Sequence, residues 1–339
     1  MSALLEVRDL KVHFPVRTGR FGGGKALVRA VDGVSFEIGD HETLAVVGES
    51  GSGKSTIGNA ILGLAPVTEG QILFGGRDLA QVTQKERKAV WRDLQVVFQD
   101  PVAALNPRRT VAQSIAEPMV IQGWDRDRIT ARVDELMEQV GLNPSQRDRR
   151  PEALSGGQRQ RVVIARALAL GPKLVICDEP VSALDVSIQS QILNLLMRLQ
   201  REAALSYLFI AHDLSVVRHI ADRVAVVYLG MVVEEGPAEA VFEAPVHPYT
   251  EALLSAIPLP DPVGRDDRKR ILLKGDLPSP LNPPPGCPFV TRCPLAEPRC
   301  SDARPPLDPS GPDRRARCFV RNPRGPGPAA IAPGGQSSA

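Results

Sequence analysis

The chain has 339 residues, 43% of them hydrophobic and 24% charged, an ordinary globular composition long enough to bury a sizeable core in one large domain or two. Lys+Arg 41 against Asp+Glu 39 leaves a formal net charge of +2, which excludes bulk charge as a driver of polyanion binding. No apolar run approaches the ~18–20 residues that cross a bilayer; Val224–Val233 is broken by Gly230, and MSALLEVRDL lacks the basic and apolar regions of a signal peptide, so the sequence predicts a cytosolic chain.

From about Leu4 to Leu254 short β-rich runs alternate with helical stretches, the pattern of an α/β fold with a largely parallel sheet. Glu6–Leu10, Val34–Ile38 and Gln71–Phe74 alternate in polarity and predict an antiparallel side sheet. Thr43–Val47, Lys173–Cys177 and Tyr207–Ala211 are apolar throughout, as strands buried on both faces are. Thr56–Leu64 reads as helix, and Val111–Ala169 is mostly helical, with amphipathic spacing at Ile129–Val140. Val186–Ala204 places Ile188, Ile192, Leu195, Leu196 and Leu199 on one helix face. After Ile257 the texture changes: Pro258–Pro285 is dense in proline, four of the five cysteines follow, and Arg321–Ala339 is too poor in apolar residues to fold. These shifts predict a first unit over 1–257 with a helical subdomain at about 100–170, a Pro/Cys-rich extension over 258–320 and a disordered tail over 321–339.

Gly48, Glu49, Ser50, Gly51, Ser52, Gly53, Lys54, Ser55 and Thr56 fit the P-loop spacing G-x-x-x-x-G-K-S/T, with a buried strand before and a helical stretch after. The glycines let successive N–H groups turn toward phosphate oxygens at a helix N-terminus. Lys54 can then reach the β- and γ-phosphates, and Ser55 can ligand Mg²⁺. Asp178 and Glu179 follow the Leu174–Cys177 run. Alone, such a pair is usually a solvated loop end; beside a P-loop, Asp178 reads as a Mg²⁺ holder and Glu179 as the general base acting on water.

A second glycine-led helix start, Leu154-Ser155-Gly156-Gly157-Gln158 before the helical stretch to Leu170, is another phosphate-binding terminus. One chain cannot easily wrap both termini around one nucleotide, which suggests a site shared between two subunits. Here the sequence resembles the ATP-binding cassette (ABC) ATPases over about residues 4–257, with LSGGQ similar to their signature motif. The resemblance implies a P-loop NTPase nucleotide-binding domain with a RecA-like core, an antiparallel β subdomain and a helical signature subdomain. It makes Gln99 the Q-loop glutamine that ligands Mg²⁺, Ser182–Asp185 the D-loop, and His212 the switch histidine. Phe14 takes the place of the ring that stacks on adenine, with a long insertion, Pro15–Arg29, following it. It also implies a head-to-tail pair in which Ser155, Gly156, Gly157 and Gln158 touch ATP held by the partner. Read singly, Gln99 is a surface polar residue, His212 a hydrogen-bonded structural histidine and Asp185 a helix N-cap; their order and spacing select the catalytic alternative.

Within that family FQDPVAALNPRRTV (98–111), GMVVEEGPAEAVFEAPVHPYTEALLSAIP (230–258) and LNPPPGCPFVTRCPLAEPRC (281–300) resemble the oligopeptide/dipeptide importer ATPases. The branch implies a second ABC ATPase subunit as heterodimer partner, two transmembrane permease subunits and an extracytoplasmic solute-binding protein. It places the chain, peripherally, on the cytoplasmic face of the inner or plasma membrane, without direct nucleic acid contact. Close relatives carry nickel or other small solutes. A soluble ABC ATPase acting on nucleic acid or ribosomes is the rival class, but its second cassette, coiled-coil insertion or internal zinc module is not visible. Cys287, Cys293, Cys300 and Cys318 sit in a Pro-rich segment where the cytosol disfavours disulfides, which suggests a metal staple. Some members of the branch carry a 4Fe–4S cluster on cysteines at matching positions, and four thiolates are what such a cluster needs. Zinc is the second choice, lacking its usual CxxC pair, and no metal the third. Cys177, inside a buried strand, reads as a small core residue.

Overall fold

The structure, a computed structural model, describes residues 3–17, 25–257 and 271–322. The fold begins on a long antiparallel hairpin, β1 (Leu5–Arg17) and β2 (Lys25–Ile38), then passes through β3 (Thr43–Val47) into α1 (Lys54–Ile61). β4 (Glu69–Phe74) and β5 (Arg77–Asp78) return to the hairpin, giving a side sheet of order β2-β1-β4-β5. The alternating runs are thus antiparallel, as their polarity predicts. The insertion after Phe14 lengthens the hairpin: Phe14 pairs with Val28, Pro15 with Leu27 and Val16 with Ala26.

Next come α2 (Gln84–Asp93), β6 (Leu94–Val97), the short α3 (Pro101–Ala104), α4 (Val111–Ile121), α5 (Arg126–Gln139) and α6 (Gly156–Leu168). β7 (Leu174–Asp178), α7 (Val186–Ala203), β8 (Ser206–Ala211), α8 (Leu214–Ile220) and the hairpin β9 (Arg223–Tyr228)–β10 (Met231–Pro237) complete the core. Leu229 and Gly230 take positive φ (48° and 75°) at that hairpin, so the apolar run Val224–Val233 is two strands and not one span. No described helix is long and apolar enough to cross a membrane.

After α9 (Ala238–Glu243) and α10 (Pro248–Ser255), the extension contributes α11 (Pro298–Asp302), β11 (Asp308–Gly311) and β12 (Arg314–Ala316). β12 pairs with β10, so the main sheet has the order β11-β12-β10-β9-β3-β8-β7-β6, parallel from β9 to β6 and antiparallel beyond. Leu44, Val46, Ile176, Leu208 and Ile210 pack under the side sheet and α1, while Ala45, Val47, Val175, Tyr207 and Phe209 pack under α6 and α7. Both faces of the parallel strands are therefore buried, which is why those stretches are continuously apolar. The expected disorder of the tail beyond 322, and the proline-rich stretch at 258–270, lie outside the described residues.

Candidate functional site: a phosphate loop and a carboxylate at the strand ends

The P-loop crosses from the end of β3 to α1, where parallel α/β sheets present ligand sites. Its outer glycines are dictated by close approach: a Cβ on Gly48 would overlap the carbonyl oxygen of Val227, and one on Gly53 that of Ala30. Gly53 also takes φ 102° as it turns the chain into α1, whose first N–H groups have no intrahelical partner and face outward. Lys54 is 4% exposed and its Nζ donates to the carbonyls of Gly48 and Glu49, both at 2.9 Å. Burial pulls its ammonium below the usual lysine range, opposed by the charges of Glu179, Asp178 and Glu49.

β7 delivers Asp178 to the same edge, where its Oδ1 accepts from Ser55 Oγ at 2.9 Å. Burial lifts the Asp178 carboxyl above its ordinary value and the neighbouring Glu179 charge adds to it, while the Ser55 bond opposes the rise. Glu179 turns out of the strand with φ 46° and its N–H donates to Ile210 at 2.9 Å. One carboxylate oxygen, Oε2, lies 2.9 Å from Gln99 Nε2 and 3.1 Å from His212 Nδ1. Three residues from three segments thus meet at one oxygen. Ser182 is tied to the same turn, its Oγ donating to the Glu179 carbonyl at 3.1 Å.

Two features fit a metal-bound nucleotide. The Ser55 and Asp178 oxygens form an adjacent pair of hard donors, as Mg²⁺ requires. Ser52 Oγ, fully buried inside the loop, has no hydrogen-bond partner among the described residues.

Ser155, Gly156, Gly157 and Gln158 stand elsewhere, at the start of α6. Ser155 Oγ accepts from Gln158 N at 3.3 Å while Gln158 Oε1 accepts from Ser155 N at 3.0 Å, a capping box on an exposed terminus. Ser155, Gly157 and Gln158 line an open cavity of about 490 Å³ with Arg149, Arg161 and Gln191, and no described hydrogen bond joins the four to the P-loop of the same chain. Asp185 occupies the N-cap position of α7, but its side chain makes no capping bond and is exposed. Phe14 is half-buried in β1 against the core of the side sheet. Glu49, Ser50, Gly51 and Thr56 complete the loop and the first turn of α1.

The five cysteines are free thiols. Cys177 is wholly buried, as expected of a core residue, and burial raises its thiol. Cys287, Cys300 and Cys318 are buried, and burial pushes Cys287 up to about 12, with the other three cysteines adding to the rise. The expected metal finds no support in this arrangement. Among the described residues no three His, Cys, Asp or Glu side chains are placed to hold a metal ion. Zinc would need tetrahedral sulfurs ~3.8 Å apart, given Zn–S of ~2.3 Å, and a 4Fe–4S cluster gains nothing from the geometry.

Two contacts escaped the sequence. Arg292 forms a two-pronged ion pair with Glu49 of the P-loop, and Tyr249 Oη accepts from the Glu49 N–H at 2.8 Å. Their partners lie 243 and 200 positions away, and only the HPYT and cysteine stretches, read as branch markers, drew attention to those segments.

Comparison with known proteins gives two family profiles: "ABC transporter" over residues 31–182 and "Oligopeptide/dipeptide transporter, C-terminal region" over residues 233–300. The chain is 53% identical over 313 residues, 91% of its length and 94% of the relative's, to the oligopeptide transport ATP-binding protein OppF of Salmonella typhimurium. It is 52% identical over 322 residues, 94% and 98% of the two lengths, to the oligopeptide transport ATP-binding protein AppF of Bacillus subtilis. Among solved structures, the dimeric ATP-binding cassette MJ0796 in a post-hydrolysis state with ADP and Pi matches with a TM-score of 0.60 and 28% identity, over 69% of this chain and 98% of that one.

Proposed function

Because this chain belongs to the ABC transporter family, in its oligopeptide/dipeptide branch, we propose that it is the ATP-binding and hydrolysing subunit that energises an importer of di- and oligopeptides. The observation that carries the chemistry is the meeting of Gln99 and His212 on Glu179 Oε2 beside the Ser55–Asp178 pair.

The proposed roles join that geometry to the family resemblance. The P-loop amides and Lys54 bind the phosphates, and Phe14 offers its ring to the base. Ser55, Asp178 and Gln99 would hold Mg²⁺, which when bound neutralises phosphate charge and keeps the transferring group in line. Glu179 accepts the proton of the attacking water. His212 orients the carboxylate through Nδ1, and Gln99 couples its position to the segment 98–111. Ser155 and Gly156, exposed, and Gly157 and Gln158, half-buried, are presented at a capped helix start to a nucleotide held by a second cassette, with Asp185 at the same interface. The dimeric MJ0796 cassette supports that pairing by analogy of fold.

The partners are accordingly a second ATPase subunit, two permeases and an external solute-binding protein, which together hold the chain at the cytoplasmic face of a membrane. We read residues 1–257 as the nucleotide-binding unit and 258–320 as an extension, whose described part, from 271 on, packs on that unit. A 4Fe–4S cluster on Cys287, Cys293, Cys300 and Cys318 has the ligand count behind it and no geometry; a broad absorption band near ~400 nm after anaerobic purification tests it. The function itself is tested with the reconstituted transporter: Lys54→Ala removes ATP binding by this subunit and stops ATP-driven peptide uptake. Uptake at the wild-type rate with that variant contradicts the proposal.

A further inference from the structure

The extension reaches the ATP site. Arg292, on the turn between Cys287 and Cys293, sends Nη1 to Glu49 Oε2 at 2.7 Å and Nη2 to Oε1 at 3.1 Å, and its side chain is only 8% exposed. Its guanidinium also lies 6.0 Å from the centre of the Tyr228 ring. The turn is anchored by Phe289, fully buried, whose ring centre stands 5.2 Å from that of Tyr228 and 5.5 Å from that of Tyr249. Tyr249 in turn accepts from the Glu49 N–H. Farther along the extension, Leu277 lies against Gly51, 3.9 Å from where a Cβ would stand.

Glu49 is therefore held at its amide by Tyr249 and at its carboxylate by Arg292, while its carbonyl holds Lys54 Nζ at 2.9 Å. Its charge also stands within a loop built to receive a polyanion. Left uncompensated, that carboxylate would repel the triphosphate and leave the Lys54-bearing peptide free to turn. The fork-to-fork geometry answers both: it cancels the charge and fixes the plane.

We propose that Arg292 is a positioning residue for ATP binding, clamping Glu49 so that the C-terminal extension forms part of the nucleotide site. The proposal rests on the ATP-site assignment above. Direct titration of the full-length chain with mant-ATP and Mg²⁺ tests it. Arg292→Ala should raise the dissociation constant about tenfold or more, the scale of a lost charge-assisted hydrogen-bond pair. Arg292→Lys, which keeps the charge but not the fork, should fall between. In the double variant Glu49→Gln/Arg292→Ala the uncompensated charge is gone, and affinity should return to within about threefold of wild type. A structural role alone would lower the melting temperature without that recovery. An Arg292→Ala constant within twofold of wild type, or a double variant no tighter than Arg292→Ala, overturns the proposal. Lys54→Ala separates the two levels: wild-type affinity there would refute the ATP site itself.

Discussion

Glu179 takes a backbone conformation with φ 46°, which costs a residue bearing a Cβ ~1–2 kcal/mol. The N–H bond to Ile210, the Ser182 hydroxyl on its carbonyl and the Gln99 and His212 contacts over-determine it there. Strain held by so many partners places the carboxylate for a task. Glu179→Gln preserves the shape and one acceptor oxygen but no longer takes a proton, so hydrolysis should fall ~10²–10⁴-fold with ATP binding retained; phosphate release and nucleotide binding, measured side by side, check both halves. At this scale the sequence was most legible where chemistry depends on local spacing. Lys54, Ser55 and Asp178 could be named because a P-loop is contiguous and an acid at a strand end has one place to go. Arg292 could not, since nothing near it in sequence indicates that its partner lies 243 residues earlier.

The helix termini show how elements are tuned. Ser155 and Gln158 cap α6 mutually, so the residues proposed to meet a partner's nucleotide are also those that begin the helix cleanly. Ser155→Ala should therefore cost ~1 kcal/mol of stability in urea unfolding, through the lost cap, in addition to any loss at the shared site. Asp185 has the position of a cap without the bond, because residue type and place along the chain do not settle where a carboxylate points. α10 starts on His247, whose Nδ1 accepts from Tyr249 N at 3.1 Å and whose own N–H donates to Glu234 at 2.8 Å. Burial, with Arg321 nearby, drives this imidazole from 6.5 down to about 3. Between those values the unfolded chain binds a proton that the folded chain refuses. Stability is thus full above pH 6.5 and falls as pH is lowered, by up to ~1.4 kcal/mol per unit. His247→Asn, which keeps a cap acceptor, should flatten the unfolding free energy between pH 6.5 and 5; an unchanged slope would place the titration elsewhere. The parallel strands β3, β7 and β8 were readable as continuous apolar runs. β11 was not, because Asp308–Gly311 (DPSG) has no strand preference of its own and pairs only because β12 is there to receive it.

Across the whole molecule, the extension and the nucleotide-binding core share one sheet and buried charges. Arg314 on β12 reaches the fully buried Glu234 of β10, which also accepts from the N–H groups of Val246 and His247. Removing one member of such a pair strands a buried charge, so Arg314→Leu should destabilise the chain by ~3–5 kcal/mol in urea unfolding, whereas Arg8→Leu, at a solvent-screened surface pair, should leave the unfolding midpoint nearly unchanged. The change in composition near residue 257 was visible in the sequence, but not this docking, which depends on pairing and charge across distant segments. The same connectivity brings Glu179 just after β7, His212 after β8 and Gln99 after β6 to one edge of the sheet beside the P-loop. Single turnover of γ-labelled ATP bound to this subunit, in the transporter reconstituted with its partner ATPase and permeases, tests that assembly most directly. With Glu179→Gln the nucleotide should bind at wild-type occupancy and keep its labelled phosphate; release of that phosphate at the wild-type rate would contradict the account.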